Sequence, residues 1–378
     1  MNYKKIVTLI LAIAFTALFS LSARAANIDE YSKDSLEAIG ADKLSDYLSD
    51  DSQKYLEKLG CEDMELEKIL DVSPKSVFKL LWEMFKDGFK EPLKGLMKVT
   101  GTVLLVSVCS GFFPDDEKSK AVLNLICGCF IVISVFAPAA QSIKAAVSAI
   151  KSCSAFEKAL IPVLAAVVTA SGNPTSALTF KSAAFAAAEF IEALAENFAL
   201  PLIGITSALG MSGAMLPTLR LSAISEILRK TVTTVLSVSA GLFSGFLALK
   251  SLLSSSADSI AVKGVKLAAN TFVPVVGGAL AEAYTSVVGS LSLLKGTVGI
   301  YAILALFVIG IPIIINLSLW VLAMRAACAV SDLLDCRVCS ELLRNTAFVF
   351  STANVMLILC MAVFIISAGL VVAVKTDL

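Results

Sequence analysis

Two kinds of residue in this chain are suited to chemistry: its cysteines, and a few charges set in apolar sequence. Cys336-Arg337-Val338-Cys339 is a C-x-x-C pair, a spacing that brings two thiols together for metal binding or thiol exchange. A structural zinc ion takes four ligands. The chain offers neither a second such pair nor any histidine, although Cys328 lies nearby. Cys127 and Cys129 fall inside an apolar run, and Cys61 stands alone in the first hundred residues. The nine cysteines therefore read as small buried hydrophobes, with no metal site expected. The lack of histidine also removes the usual general base and proton switch. No phosphate-cradling loop, nucleophile elbow or HExxH motif occurs. Neither an enzyme nor a cofactor is expected. Glu282, Lys295 and Lys250 are charges in apolar surroundings, and an ionisable group at membrane depth is a candidate functional group. The competing reading is a charge near a helix end that snorkels to water.

Glu282 and Lys295 belong to the block Ala261–Gly299, apolar enough for a bilayer yet interrupted by Pro274, Gly277, Gly278, Gly289 and Gly296. Proline removes a backbone donor and glycine weakens helix interiors. Non-helical backbone at membrane depth survives only where protein or a water-filled cavity satisfies it. The block is expected to be broken or re-entrant, with these five residues as structural breaks or pore-lining positions. A faint echo of Phe272-Val273-Pro274-Val275-Val276-Gly277 occurs at Phe198–Gly204, as in carriers built from repeats.

The surrounding composition is that of a membrane protein. Of 378 residues, 57% are hydrophobic and 16% charged, and the mean hydropathy is +0.85; soluble domains are nearer half apolar and a quarter charged. The fold class expected is an all-α polytopic helical bundle with broken or re-entrant segments, preceded by a small exported helical segment. Residues 1–25 read as a signal peptide: Lys4 and Lys5, an apolar Ile6–Leu21, then Ala23-Arg24-Ala25. An uncleaved anchor is the other reading, and both put Ala26 onward outside the cytoplasm. Ala26–Gly95 carries 10 Lys against 17 acids, whereas Leu96–Leu378 carries 18 Lys and Arg against 14 acids. That distribution leaves no footprint for nucleic acid.

Residues 26–72 form the acidic exported segment, with Leu36, Ile39, Leu44, Leu48, Leu56, Leu59, Leu66 and Ile69 at helical spacing and breaks near Gly40 and Gly60. Its core is thin, so either a partner or the membrane surface completes it or it is a loosely packed extracellular cap. Ser73-Pro74 starts a helix, and residues 73–95 carry Phe78, Trp82, Phe85 and Phe89 on one face among lysines. That suits a helix in the membrane interface or one packed on the bundle. Residues 96–378 form a membrane domain of five to seven spans. The candidates are Leu96–Phe113, Ala121–Ala139, Ala199–Leu216, Thr231–Leu253, Thr297–Met324 and Ala347–Val374, with Ala159–Ser171 short for the roughly 20 residues a span needs. Seven alternating spans would put Lys144, Lys151, Arg220, Arg229, Arg337 and Arg344 outside, against the positive-inside tendency. Ala159–Ser171 is therefore not expected to cross. Between the spans, Glu189, Glu192 and Glu196 share a helix face.

The order of these segments, with Thr271-Phe272-Val273-Pro274-Val275-Val276-Gly277-Gly278 and Leu293-Leu294-Lys295-Gly296-Thr297-Val298-Gly299, resembles the stage III sporulation protein AE family of endospore-forming bacteria. The resemblance implies a subunit of a secretion-like channel complex in the mother-cell membrane around the forespore. Such a subunit would be needed after engulfment for late forespore gene expression. It also implies partners, namely the other stage III A sporulation proteins and forespore stage II protein Q. The family carries over no catalytic residues. The other function expected from the residues is a secondary transporter, with a midplane site formed by broken helices.

Overall fold

A computed structural model of the chain describes residues 36–61, 69, 72–112, 117–170, 174–215, 224–241 and 277–373, apart from positions 38, 225, 236 and 240. The signal peptide, Leu66, Lys250 and Pro274 lie outside the described residues. Those described are helical and contain no strand. Five helical stretches are long and apolar enough to cross a membrane: Pro74–Gly111, Leu125–Ala170, Ala177–Gly210, Gly296–Leu333 and Arg337–Gly369.

A 3-10 helix, Ala41–Tyr47, and helix α1, Asp50–Lys58, come first. Gly40 and Gly60 bound them at φ 73° and 77°, a left-handed backbone that glycine adopts without a Cβ penalty. Leu44, Leu48, Leu56 and Leu59 are buried, and they are buried against the bundle. The 3-10 helix packs on α3 and α1 on α6 (both defined below), while Lys58 Nζ reaches Glu83 at 2.9 Å. The thin core of this segment is thus completed by the membrane domain of the same chain. Cys61 is sealed there, and burial pushes its thiol up to about 11.

Helix α2, Pro74–Gly111, starts where Ser73 Oγ accepts the Ser76 N–H at 3.2 Å, with Pro74 at the first helical position. It is one unbroken helix, so the amphipathic stretch and the first apolar stretch are not separate elements. The reason is its inward face: Leu80, Met84, Gly88, Pro92, Gly95, Val99, Val103 and Val106 recur every three or four residues and pack on the bundle from end to end. The aromatic stripe faces away. Phe78 is 70% and Trp82 52% exposed, with Trp82, Phe85 and Phe89 stacked in sequence at 5.7 Å. The stripe is therefore free to meet the membrane interface and does not pack on the bundle.

Helix α3, Glu117–Ala170, fuses the expected spans Ala121–Ala139 and Ala159–Ser171 into one helix through Pro138 and Pro162. The intervening Gln141–Ala159 is rich in Ala, Ser and Lys with no Gly or Pro, so nothing local ends the helix. Helix α4, Pro174–Ala193, runs through a π-helical segment, Leu194–Ala199, into α5, Leu200–Met215. Pro201, which lacks a donor, lies just after this widened turn, where the regular α-helical ladder is interrupted. Residues 226–235 are also helical, and Arg229 stacks on Phe348 at 4.7 Å.

The spine is helix α6, Gly277–Leu333, paired with α7, Arg337–Ala373. Their spans are the most deeply buried of the five. Trp320 and Phe350 stack across the pair at 5.3 Å, and Asn354 Nδ2 donates to Ser318 Oγ at 2.8 Å. Two cores are stacked along the bundle. One joins the amino-terminal helices to the start of α2, the end of α3, the first half of the spine's α6 and the end of α7. The other joins the end of α2, the start of α3, the end of α6 and the start of α7.

Candidate functional site

The carboxylates of Glu189, Glu192 and Glu196 face a matching ladder on α3. Lys151, Ser154 and Lys158 follow the same spacings of three and four, so antiparallel packing of α3 and α4 brings the rows into register. Lys158 Nζ lies 2.7 Å from Glu189 Oε1 and 2.7 Å from Glu192 Oε2. Ser154 Oγ donates to Glu192 Oε2 at 2.9 Å, and Lys151 meets Glu196 at 2.5 Å inside the π segment. Next to Lys158 in the chain, Glu157 is wholly buried. Ser367 faces it from α7, yet neither carboxylate oxygen has a hydrogen-bond partner among the described residues. An ionisable group buried in an apolar bundle is expensive, which makes Glu157 a candidate functional group. The row of ion pairs and the buried carboxyl together form a polar seam between α3 and α4.

The expected sites fare differently. Gly277, Gly278, Glu282, Gly289, Lys295 and Gly296 all lie on α6, which is continuous helix from Gly277 onward. That half of the block is not broken. The side chains of Glu282 and Lys295 lie outside the described residues, as does Pro274. Close backbone approach occurs at other glycines. A Cβ on Gly95 would stand 2.5 Å from the Trp320 ring, and one on Gly310 would run into Met361.

The cysteines are not all buried. Seven are buried, but Cys129 is exposed and Cys109 half-buried. Cys127 of α3 comes to the C-x-x-C pair, with Cys336 and Cys339 Sγ 2.7 Å apart and Cys339 and Cys127 Sγ 2.9 Å apart. The flanking thiols of Cys127 and Cys339 hold Cys336 below the usual thiol range. The third sulfur comes from more than two hundred residues away, a separation no spacing rule reaches. Glu157 was detectable as a lone acid between Phe156 and Lys158, but its burial depends on α7.

Five helices long and apolar enough to cross a membrane, packed as one bundle, make this a polytopic α-helical membrane protein. The chain belongs to the stage III sporulation protein AE family, whose sequence model matches residues 61–375. It is 26% identical over 230 residues to stage III sporulation protein AE of Bacillus subtilis (strain 168), covering 59% of this chain and 57% of that protein. The match thus spans little more than half the length of that relative. No solved structure matches the fold.

Proposed function

We propose that the protein is a non-enzymatic core or platform subunit of a sporulation channel complex linking mother cell and forespore. It would sit in the mother-cell membrane around the forespore, with its amino-terminal segment outside the cytoplasm. Its partners would be the other stage III A sporulation proteins and forespore stage II protein Q. The family match carries this reading. The shape is consistent with it. Helices α3 and α6, with 54 and 57 residues, run roughly 80 and 85 Å at 1.5 Å per residue, against a hydrocarbon core of about 30 Å. Each is thus much longer than one crossing needs, which suits a platform that reaches beyond the bilayer. Deleting the gene in the sporulating cell tests the reading. Late forespore reporter expression should be lost while engulfment proceeds. Normal late expression would sink the proposal.

Buried Glu157 favours the second reading, a secondary transporter with a proton- or cation-linked site. Glu157→Gln keeps the shape and removes the charge. A platform should sporulate normally with this change, and a carrier should lose function.

A further inference from the structure

We propose that Cys127, Cys336 and Cys339 form a binding site for one thiophilic d10 cation, Zn2+ or Cu+, at the junction of α3 with the α6–α7 turn. The three sulfurs lie within 4.8 Å of one another and all three residues are buried. Their 2.7 and 2.9 Å separations exceed the roughly 2.05 Å of a disulfide. They fall about 1 Å inside the edge, near 4 Å, of a triangle of sulfurs each about 2.3 Å from a shared ion. A small outward shift of three side chains would therefore admit the ion.

The backbone holds two of the donors in place. Asp335, at φ 51°, ends α6 in the left-handed conformation, and the Cys336 N–H closes the turn on the Ser331 carbonyl at 3.0 Å. Ser331 Oγ then donates to the Cys336 carbonyl at 3.0 Å. Cys336 immediately precedes α7 and Cys339 lies in its first turn, the two positions whose side chains meet over a helix start. Cys127 closes the set from the adjacent helix. The donor set is all sulfur, and soft ligands of this kind select Zn2+ and Cu+ over harder cations. Cys328 stays outside the set, its Sγ 3.4 Å from Ser340 Oγ. A three-sulfur site thus leaves Zn2+ an open position and suits trigonal Cu+. Binding releases the thiol protons to solvent.

The test uses the full chain, purified in detergent with reductant, stripped by a chelator and given Zn2+ alone or Cu+ alone. One equivalent of one of these ions should survive desalting. Alkylation mapped by mass spectrometry should then spare Cys127, Cys336 and Cys339 while exposed Cys129 reacts. Cys127→Ser and Cys339→Ser should each abolish retention, and Cys129→Ser should leave it unchanged. X-ray absorption should show three sulfurs around the ion, alone for Cu+ and joined by a single light-atom ligand for Zn2+. The wild-type measurements stand even if a variant fails to fold. Retention of neither ion overturns the proposal, as does an oxygen-rich shell. So does a Cys336–Cys339 disulfide that persists in the reductant.

Discussion

Trp320 shows what single residues contribute to this bundle. Its ring lies against Phe350 on one side and over Gly95 on the other, so α2 approaches the spine only because residue 95 has no side chain. A rigid indole cannot give way as the flexible Met361 can at Gly310. Gly95→Val should therefore destabilise the protein by about 1–3 kcal/mol through overpacking, read as a lower melting temperature in detergent. Gly310→Ala should cost less. Gly95 does not stand out in the sequence, and Gly310 does so only as part of Gly310-Ile311-Pro312. The ones that do, Gly277, Gly278, Gly289 and Gly296, sit in continuous helix. Residue type alone does not say which glycine a ring will cover, since the ring comes from another helix.

At the scale of elements, faces were more legible than ends. The stripe Phe78, Trp82, Phe85 and Phe89 and the acidic row Glu189, Glu192 and Glu196 are both single faces, because helical period is written in local spacing. The partner of the acidic row, Lys151 and Lys158, came only from the hairpin of α3 and α4 that joins them. Lys158 serves two carboxylates, and its side chain is 29% exposed against 55% for Lys151. Lys158→Met should accordingly lower the detergent melting temperature more than Lys151→Met, because it leaves two acids without their cation. Adding Glu192→Gln to Lys158→Met should recover part of the loss. Equal effects of the two lysine changes would refute the assignment. The boundaries read at Gly95, Ala139 and Ala159 are not helix ends, and the helices run on past them and through Pro92, Pro138 and Pro162, residues that locally oppose a helix.

For the molecule as a whole, the two stacked cores explain why a short acidic segment is ordered at all. Leu44, Leu48, Leu56 and Leu59 share a core with Phe156, Leu160 and Leu164 of α3. Leu56 is 2% exposed, so Leu56→Ala should cost about 2–5 kcal/mol. Limited proteolysis should then cut near residues 41–61 faster than in the parent protein. Unchanged cleavage would mean that the segment does not depend on the bundle. Membrane character, helical class, the paucity of catalytic groups and the helix faces follow from composition and local period, which need no partner to be expressed. Which helices run unbroken, where Glu157 is sealed, what completes the amino-terminal segment and which cysteines meet follow from contacts between residues far apart in the chain. A local pattern can specify a face, but the surface that covers it is supplied by the rest of the fold.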